Sequence, residues 1–354
     1  MNPSSTVEFT NSYTITKPAV SVIMPCYNVA KTIDEAVQSL LQQTLQEIEI
    51  LAINDGSTDT TIECLQGWSK KDQRLQILQR PHKGIIPALN AGLAHCRAPL
   101  VARMDGDDIA HPDRLEKQVS FLASNPDIAV VSCLVEGYPP QDIGKGFKIY
   151  LNWLNGLITP DAISREIYIE SPLAHPSVVI QKSWIDRVGM YQDHGWPEDY
   201  DLWLRLHLAG AKFAKVPEIL LSWREHSQRL TRTDSRYSVE NFLRAKAHYL
   251  SKGLLKDRDS VILWGAGQMG RRLSKHLLRE GAPLVAFIDI DPKKIGRERR
   301  GYPIHAPTDL PLLWEQFNHP ILLAAVGSRG ARKLIREHLH AIGLEEARDW
   351  WAVA

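Results

Sequence analysis

The stretch Pro99-Leu100-Val101-Ala102-Arg103-Met104-Asp105-Gly106-Asp107-Asp108 reads as a short buried strand running straight into three carboxylates. Acids so close together at a strand end repel one another, and a cation is the usual remedy. Hard oxygen ligands on a short loop suit Mg2+ or Mn2+, ions that also hold phosphate oxygens. The plainer reading is a solvated acidic turn leading into a helix over Pro112 to Asn125. What flanks the cluster decides between the two.

Upstream, short apolar runs alternate with segments of helical periodicity. Strands are expected over Ala19 to Met24, Ile48 to Ile53, Leu75 to Leu78 and Pro99 to Ala102, with another over Ile128 to Leu134. Helices are expected over Lys31 to Thr44, Thr58 to Ser69 and Ile86 to Cys96, with Ile33, Val37, Leu40 and Leu41 on one face of the first. Alternation of this kind makes a parallel sheet with helices on both faces, and such sheets bind ligands at the carboxyl ends of their strands. The polar clusters fall at those ends: Pro25-Cys26-Tyr27-Asn28, Asn54-Asp55-Gly56-Ser57-Thr58-Asp59, His82-Lys83-Gly84, and Asp105 to Asp108. Each taken singly is an ordinary turn or helix cap. An aromatic, an acid, a base and a carboxylate cluster along one rim are not an ordinary scatter of turns.

Bulk properties narrow the field. The 354 residues suffice for two domains with sizeable cores, and the composition, 44% hydrophobic and 23% charged, is that of a globular protein. A formal net charge of +1 gives no reason to expect nucleic acid as a partner. No apolar run is long enough to span a bilayer, and Met1 to Pro18 lacks the apolar core of a signal peptide. Cys26, Cys64, Cys96 and Cys133 lie more than thirty residues apart and match no zinc or disulfide spacing, so a cytoplasmic location is expected.

Taken together, Val22 to Asn28, Asn54 to Asp59 and Asp105-Gly106-Asp107-Asp108 resemble the family-2 glycosyltransferases of inverting, GT-A type. The resemblance implies an α/β fold: a GT-A (nucleotide-diphospho-sugar transferase) domain with a mostly parallel mixed sheet over residues 19–234. It further implies that Pro25, Tyr27, Asn28, Asp55, Lys83, Arg103 and Asp105 bind the nucleotide sugar. Tyr27 would lie near the base, Asp55 would accept from a uracil or thymine imide, and Asp105 would lie near the ribose. Asp107, in the family's DxD motif, would bind Mg2+ or Mn2+. The donor would be a UDP- or dTDP-sugar. The acceptor would be a hydroxyl of a saccharide or lipid-linked glycan in surface polysaccharide biosynthesis, with peripheral membrane association.

Pro197-Glu198-Asp199-Tyr200-Asp201-Leu202-Trp203 opens a further helix that ends at Gly210. Acids in a first turn complement the helix dipole whatever else they do. The run also matches the family's ED motif, which implies that Asp199 is the general base, with Glu198 on sugar or acceptor hydroxyls; Glu198 and Asp201 remain alternative bases. His175 and His226 fit buried, hydrogen-bonded roles, and by resemblance His226 is also a candidate metal ligand. The irregular segment Val135 to Leu173, with Tyr138, Phe147, Tyr150 and Trp153, serves equally as an acceptor pocket or a satellite core.

After a helix and linker over 235–257, residues 258–354 restart a strand–helix pattern. Ser260 to Trp264 leads into Gly265-Ala266-Gly267-Gln268-Met269-Gly270, and Val285 to Ile288 ends in Asp289-Ile290-Asp291. A G-x-G-x-x-G turn with an acid about twenty residues on is the dinucleotide fingerprint. This part resembles the small Rossmann-like α/β units appended to sugar-modifying enzymes, with Gly265, Gly267, Gly270 and Asp289 as candidate nucleotide contacts. It carries no tyrosine-lysine pair and no substrate domain of its own. A non-catalytic module for nucleotide binding or assembly is therefore expected. The competing expectation is an NAD(P)-dependent sugar oxidoreductase. A nucleotidyltransferase is disfavoured, because Pro25-Cys26-Tyr27-Asn28 stands where a glycine-rich, arginine-containing loop would be.

Overall fold

A computed structural model describes residues 17–354. The expected N-terminal segment 1–18 lies, but for its last two residues, outside the described residues. In chain order the first elements are β1 (Val20–Cys26), α1 (Ile33–Leu41), β2 (Ile48–Asp55), α2 (Thr61–Lys71), β3 (Leu75–Arg80), α3 (Ile85–His95), β4 (Leu100–Arg103), β5 (Ile109–Ala110) and α4 (Arg114–Ser124). They are followed by β6 (Ile128–Tyr138), α5 (Lys145–Gly156), α6 (Pro160–Glu166), β7 (Val179–Gln181), α7 (Lys182–Val188), α8 (Glu198–Leu208) and β8 (Lys212–Arg224).

Eight strands form one sheet in the order β3-β2-β1-β4-β7-β6-β8-β5. β1, β2, β3 and β4 run parallel, as do β6 and β8, whereas β7 is antiparallel to both β4 and β6 and β5 is antiparallel to β8. All eight residues of β2 are buried, which requires cover on both faces. On α1 the buried residues Ile33, Ala36, Val37 and Leu40 follow the helical stripe and join Val20, Val22 and Met24 in the core.

The second set of elements comprises α9 (Leu230–Thr233), α10 (Val239–Lys252), β9 (Ser260–Trp264), α11 (Gln268–Arg279), β10 (Leu284–Ile288), β11 (Glu298–Arg299) and β12 (Tyr302–His305), then α12 (Leu310–Trp314), β13 (Pro320–Ala324), α13 (Ala331–Ala341) and β14 (Trp350–Ala352). Six strands make a second sheet, ordered β11-β12-β10-β9-β13-β14, parallel throughout except for β11. By packing, the chain divides into two compact units. One holds residues up to 163 with 172–194 and 209–229; the other holds 164–171, 195–208 and 230–354. Helix α8 therefore packs with the second sheet's unit. Among the described residues no helix is long and apolar enough to cross a membrane.

The segment expected to be irregular is more regular than its sequence suggests. β6 continues to Tyr138 because β8 pairs with it up to Tyr138↔Arg224. The aromatics of α5 pack against Trp223, with ring centroids 5.5 Å away for Phe147 and 6.4 Å for Tyr150, and together with Trp153 they lie against the main core.

Candidate active site

Three loops at the carboxyl ends of β1, β2 and β3 are tied together by side chains. Asn28, at a φ of 53°, accepts from the Thr58 amide at 2.8 Å and donates its own amide to Ser57 Oγ at 3.1 Å. Asp59 accepts from the Ala30 amide at 3.1 Å. Gly56, at a φ of 70°, has no room for a side chain, since a Cβ there would lie 2.6 Å from the His82 amide nitrogen.

Asp55 is buried at the centre of this group. Its carboxylate meets Arg80 Nε at 3.0 Å, His82 Nδ1 at 2.8 Å, and the amides of Lys83 and Gly84 at 3.2 and 2.8 Å. Lys83 thus contributes its backbone to the site, and its position is set by Asp55. Above them the Tyr27 ring, 44% exposed, stacks on His82 with centroids 4.0 Å apart and planes 17° from parallel. This is a flat apolar surface over an anchored carboxylate. Pro25 lies within β1, one residue before its end.

The acidic cluster sits at the end of β4. Arg103 is buried, pairs with Asp105, and gives its carbonyl to Arg114 Nη2 at 2.9 Å. One carboxylate oxygen from each of Asp105, Asp107 and Asp108 lies within 4.8 Å of the others. Asp108 is 1% exposed; its Oδ1 accepts from the Arg224 amide at 2.7 Å, and its Oδ2 has no partner among the described residues. Burial, reinforced by Asp107 and Asp105, raises the Asp108 pKa well above the ordinary carboxylate range. Burial raises that of Asp105 as well, Asp107 adding to it and Arg103 opposing it. An orphaned buried oxygen and mutual repulsion are what a divalent cation would relieve, and an all-oxygen donor set fits Mg2+ or Mn2+.

The end of β8 closes over this cluster. His226 Nε2 lies 2.8 Å from Asp107 Oδ2, and Arg224 donates through Nε to the Asp107 carbonyl at 2.5 Å while also pairing with Glu35. Arg229 pairs with Glu225 at 2.9 Å and lies 4.4 Å over the Trp223 ring. His175 is different. It is buried, bonded to the Tyr191 hydroxyl at 2.7 Å, and kept neutral because burial, and then the Arg103 charge, pull its pKa well down.

In the other unit, the first turn of α8 holds the second group of acids. Asp201 is fully buried and accepts from Trp196 Nε1 at 2.7 Å, Tyr249 Oη at 2.6 Å and Arg205 Nε at 2.7 Å. Its lone pairs are committed to packing. Glu198 is buried too, and Tyr237 Oη reaches its two oxygens at 2.9 and 2.8 Å. Burial, then the nearby Glu198 carboxylate, raises the Tyr237 pKa well above its ordinary value, so the phenol stays a donor. Asp199 is half-buried, and its Oδ1 accepts from the Tyr200 amide at 2.7 Å.

Sequence reasoning did not single out Arg80, Arg224 or Arg229. Arg80 and Arg224 end strands far in sequence from the Asp55 and Asp107 they touch, whereas Arg229 lies beyond the end of β8 and pairs locally with Glu225. The strand carrying Arg224 was itself hidden, because Pro217-Glu218 breaks the alternation where the pairing with β6 slips register. The candidate contacts Gly265, Gly267, Gly270 and Asp289 all lie around the turn after β9 in the second sheet.

Residues 21–186 match the family model described as glycosyl transferase family 2. An uncharacterized glycosyltransferase of Haemophilus influenzae is 34% identical over 249 residues, covering 66% of this chain and 75% of that one. The amylovoran biosynthesis glycosyltransferase AmsE of Erwinia amylovora is 32% identical, covering 58% and 76%. A galactosyltransferase of Escherichia coli, the UDP-Gal:alpha-D-GlcNAc-diphosphoundecaprenol beta-1,3-galactosyltransferase, is 26% identical, covering 69% and 88%. Among solved structures, Staphylococcus aureus TarS 1-349 in complex with UDP-GlcNAc superposes with a TM-score of 0.55 at 18% identity, over 73% of this chain and 72% of that one. That likeness is one of fold.

Proposed function

The chain belongs to glycosyl transferase family 2 and is a glycosyltransferase, and from that premise we propose a metal-dependent, inverting transfer from a UDP- or dTDP-sugar to a hydroxyl of a saccharide or lipid-linked acceptor. The observation that carries this reading is the Asp105-Asp107-Asp108 cluster with the unpartnered Asp108 Oδ2 and His226 beside Asp107.

In this reading Asp107 holds the cation, with His226 as a further ligand, and Asp105 reaches the ribose from its pair with Arg103. When bound, Mg2+ or Mn2+ would neutralise the charge that grows on the departing nucleoside diphosphate. Pro25, Tyr27, Asn28, Asp55 and Lys83 receive the nucleoside. The Tyr27 and His82 rings give the base a flat contact, and Asp55, held by four donors, presents a fixed acceptor edge to the imide. Asp199 is the base, taking the proton from the acceptor hydroxyl as its oxygen attacks the anomeric carbon. Asp201, consumed by three donors, is set aside as a base, and Asp199 is taken over Glu198 on the resemblance to the family's ED motif.

AmsE is named for amylovoran biosynthesis and the E. coli relative for a diphosphoundecaprenol-linked acceptor. Both favour surface polysaccharide assembly, at the cytoplasmic face of a membrane, as the setting. We take residues 19–234 as the catalytic domain, 235–257 as a connecting helix and linker, and 258–354 as an appended Rossmann-like domain.

The test is a screen of nucleotide sugars for release of nucleoside diphosphate. Turnover of a uridine or thymidine donor with Mn2+ or Mg2+, abolished by chelator, is expected. Turnover that is indifferent to chelator would overturn the metal role, and a clear preference for a guanosine or cytidine donor would overturn the donor class.

A further inference from the structure

The second unit contains a cavity of about 740 Å³ at the carboxyl ends of β9, β10 and β13. That volume is typical of small-molecule sites, and this is the end of a parallel sheet where ligands bind. None of the chemistry proposed for sugar transfer uses it.

The three glycines of the turn after β9 have different reasons to be glycine. Gly265 has a φ of 113°, and a Cβ there would lie 2.9 Å from the Ala325 carbonyl oxygen. At Gly270 a Cβ would lie 1.7 Å from the Gly265 carbonyl oxygen. The fold requires both. Gly267 is otherwise: its φ of −78° and ψ of −158° are open to any residue, and a Cβ would meet nothing within 4 Å. It lines the cavity at the N-terminus of the twelve-residue α11. No neighbour among the described residues excludes a side chain there, so beyond the ordinary tolerance of an N-cap for glycine the open space suits a ligand that must approach the backbone and the helix dipole.

Of the charged side chains lining the cavity, Asp289, Asp291 and Lys294 pair with one another, which leaves Arg272 to meet an anion. Asp289 is saturated by the Ala266 amide at 2.9 Å, the Asp291 amide at 2.9 Å and Lys294 Nζ at 3.1 Å. It organises the turn, and Lys294 is neutralised in doing so. Arg272, one turn into α11, lines the cavity with no ion pair or hydrogen bond among the described residues. His338 Nε2 also lacks a hydrogen-bond partner, its ring edge-on to Trp264 at 5.3 Å. Two large apolar side chains stand at the same cavity, Ile290 at 74% and Leu334 at 67% exposure. A flat, weakly polar group would cover them.

We propose that this cavity binds a nucleoside diphosphate, free or as part of a dinucleotide or nucleotide sugar. The diphosphate sits at Gly267 and the α11 N-terminus beside Arg272, the base lies against Ile290 and Leu334, and the half-exposed Asp291 faces the ribose hydroxyls.

The test is calorimetry on the full chain with ADP, NAD+ and UDP-glucose, each with and without Mn2+. It compares wild type, Gly267→Asp, which keeps a helix-capping residue but faces the diphosphate with a carboxylate, and Arg272→Glu, which reverses a charge at the cavity and leaves the glycines of the turn intact. At least one probe should bind without metal and lose roughly tenfold or more in affinity in both variants. The probe that binds most tightly identifies the source of the diphosphate. Metal-dependent donor hydrolysis should be unchanged in the variants, which separates this inference from the transferase reading. If no probe binds in the absence of metal, or if binding survives Arg272→Glu undiminished, the proposal is wrong.

Discussion

Asp107 and Asp199 carry different halves of the proposed chemistry, so their amides should fail in different ways. Asp107 meets His226 on one side and two further carboxylates on the other, and its contribution is to binding. In calorimetry with UDP, wild type should bind more tightly with Mn2+ than with chelator, and Asp107→Asn should bind about equally in both. A Mn2+ dependence that survives the amide would remove Asp107 from the metal site. Asp199→Asn should instead leave UDP affinity intact and slow transfer to a surrogate acceptor by roughly 10²- to 10⁴-fold, the usual contribution of a general base. Near wild-type transfer by this variant together with a dead Glu198→Gln would move the base to Glu198. The three acids of this turn could not be ranked on type and spacing alone. Asp201 is distinguished by Trp196, Tyr249 and Arg205, which converge on it from up to 48 residues away.

At the scale of elements, helical and strand periodicity located most of the first unit, and tertiary contacts set the ends. The expected helix over Lys31 to Thr44 narrows to Ile33–Leu41. Gln43, fully buried, leaves the helical pattern to donate to the His111 carbonyl at 2.7 Å and accept from the Leu115 amide at 3.0 Å. β6 lengthens because β8 is beside it, and β8 was not expected because its bulge at Pro217 disguises the alternation. In the second sheet the strand–glycine–helix turn was legible, since two of its positions, Gly265 and Gly270, have no room for a side chain. Gly270→Ala should therefore lower the thermal unfolding midpoint of the chain markedly, because the methyl group must displace the Gly265 carbonyl. Gly267→Ala, with open space around it, should leave the midpoint nearly unchanged. Equal midpoints for the two variants would contradict this account of the turn.

For the molecule as a whole, stability should depend on pH through a buried lysine. Lys215 lies in the core of the first unit with its ammonium bonded to the Leu154 carbonyl, and burial pulls its pKa down to about 7. In the unfolded chain a lysine titrates near 10.4. Between these values the unfolded state binds more protons than the folded one, so the contribution of Lys215 raises stability as pH increases from about 7 to about 10. The slope is at most about 1.4 kcal/mol per pH unit. Lys215→Met should stabilise the protein at pH 7 and flatten that rise in urea unfolding at pH 7 and 9.5. An unchanged pH slope would show that the ammonium keeps its charge in the fold.

What the sequence by itself determined is whatever depends on local order. The alternation of buried strands and amphipathic helices specified an α/β fold, the strand-end clusters placed polar groups along one rim, and the Asp105 to Asp108 run gathered three carboxylates on it. Each follows from residues adjacent in the chain, whose periodicity and mutual repulsion do not need the rest of the molecule. What only the tertiary structure decided is which of these residues are already committed. Asp55 is held by Arg80 and His82, Asp108 by the Arg224 amide, and Asp201 by Tyr249. One oxygen of Asp108 is left without a partner among the described residues. The physical reason is that a buried polar atom must find its partner wherever folding places one, and for these side chains it lies on another strand or helix, at a sequence distance no periodicity encodes.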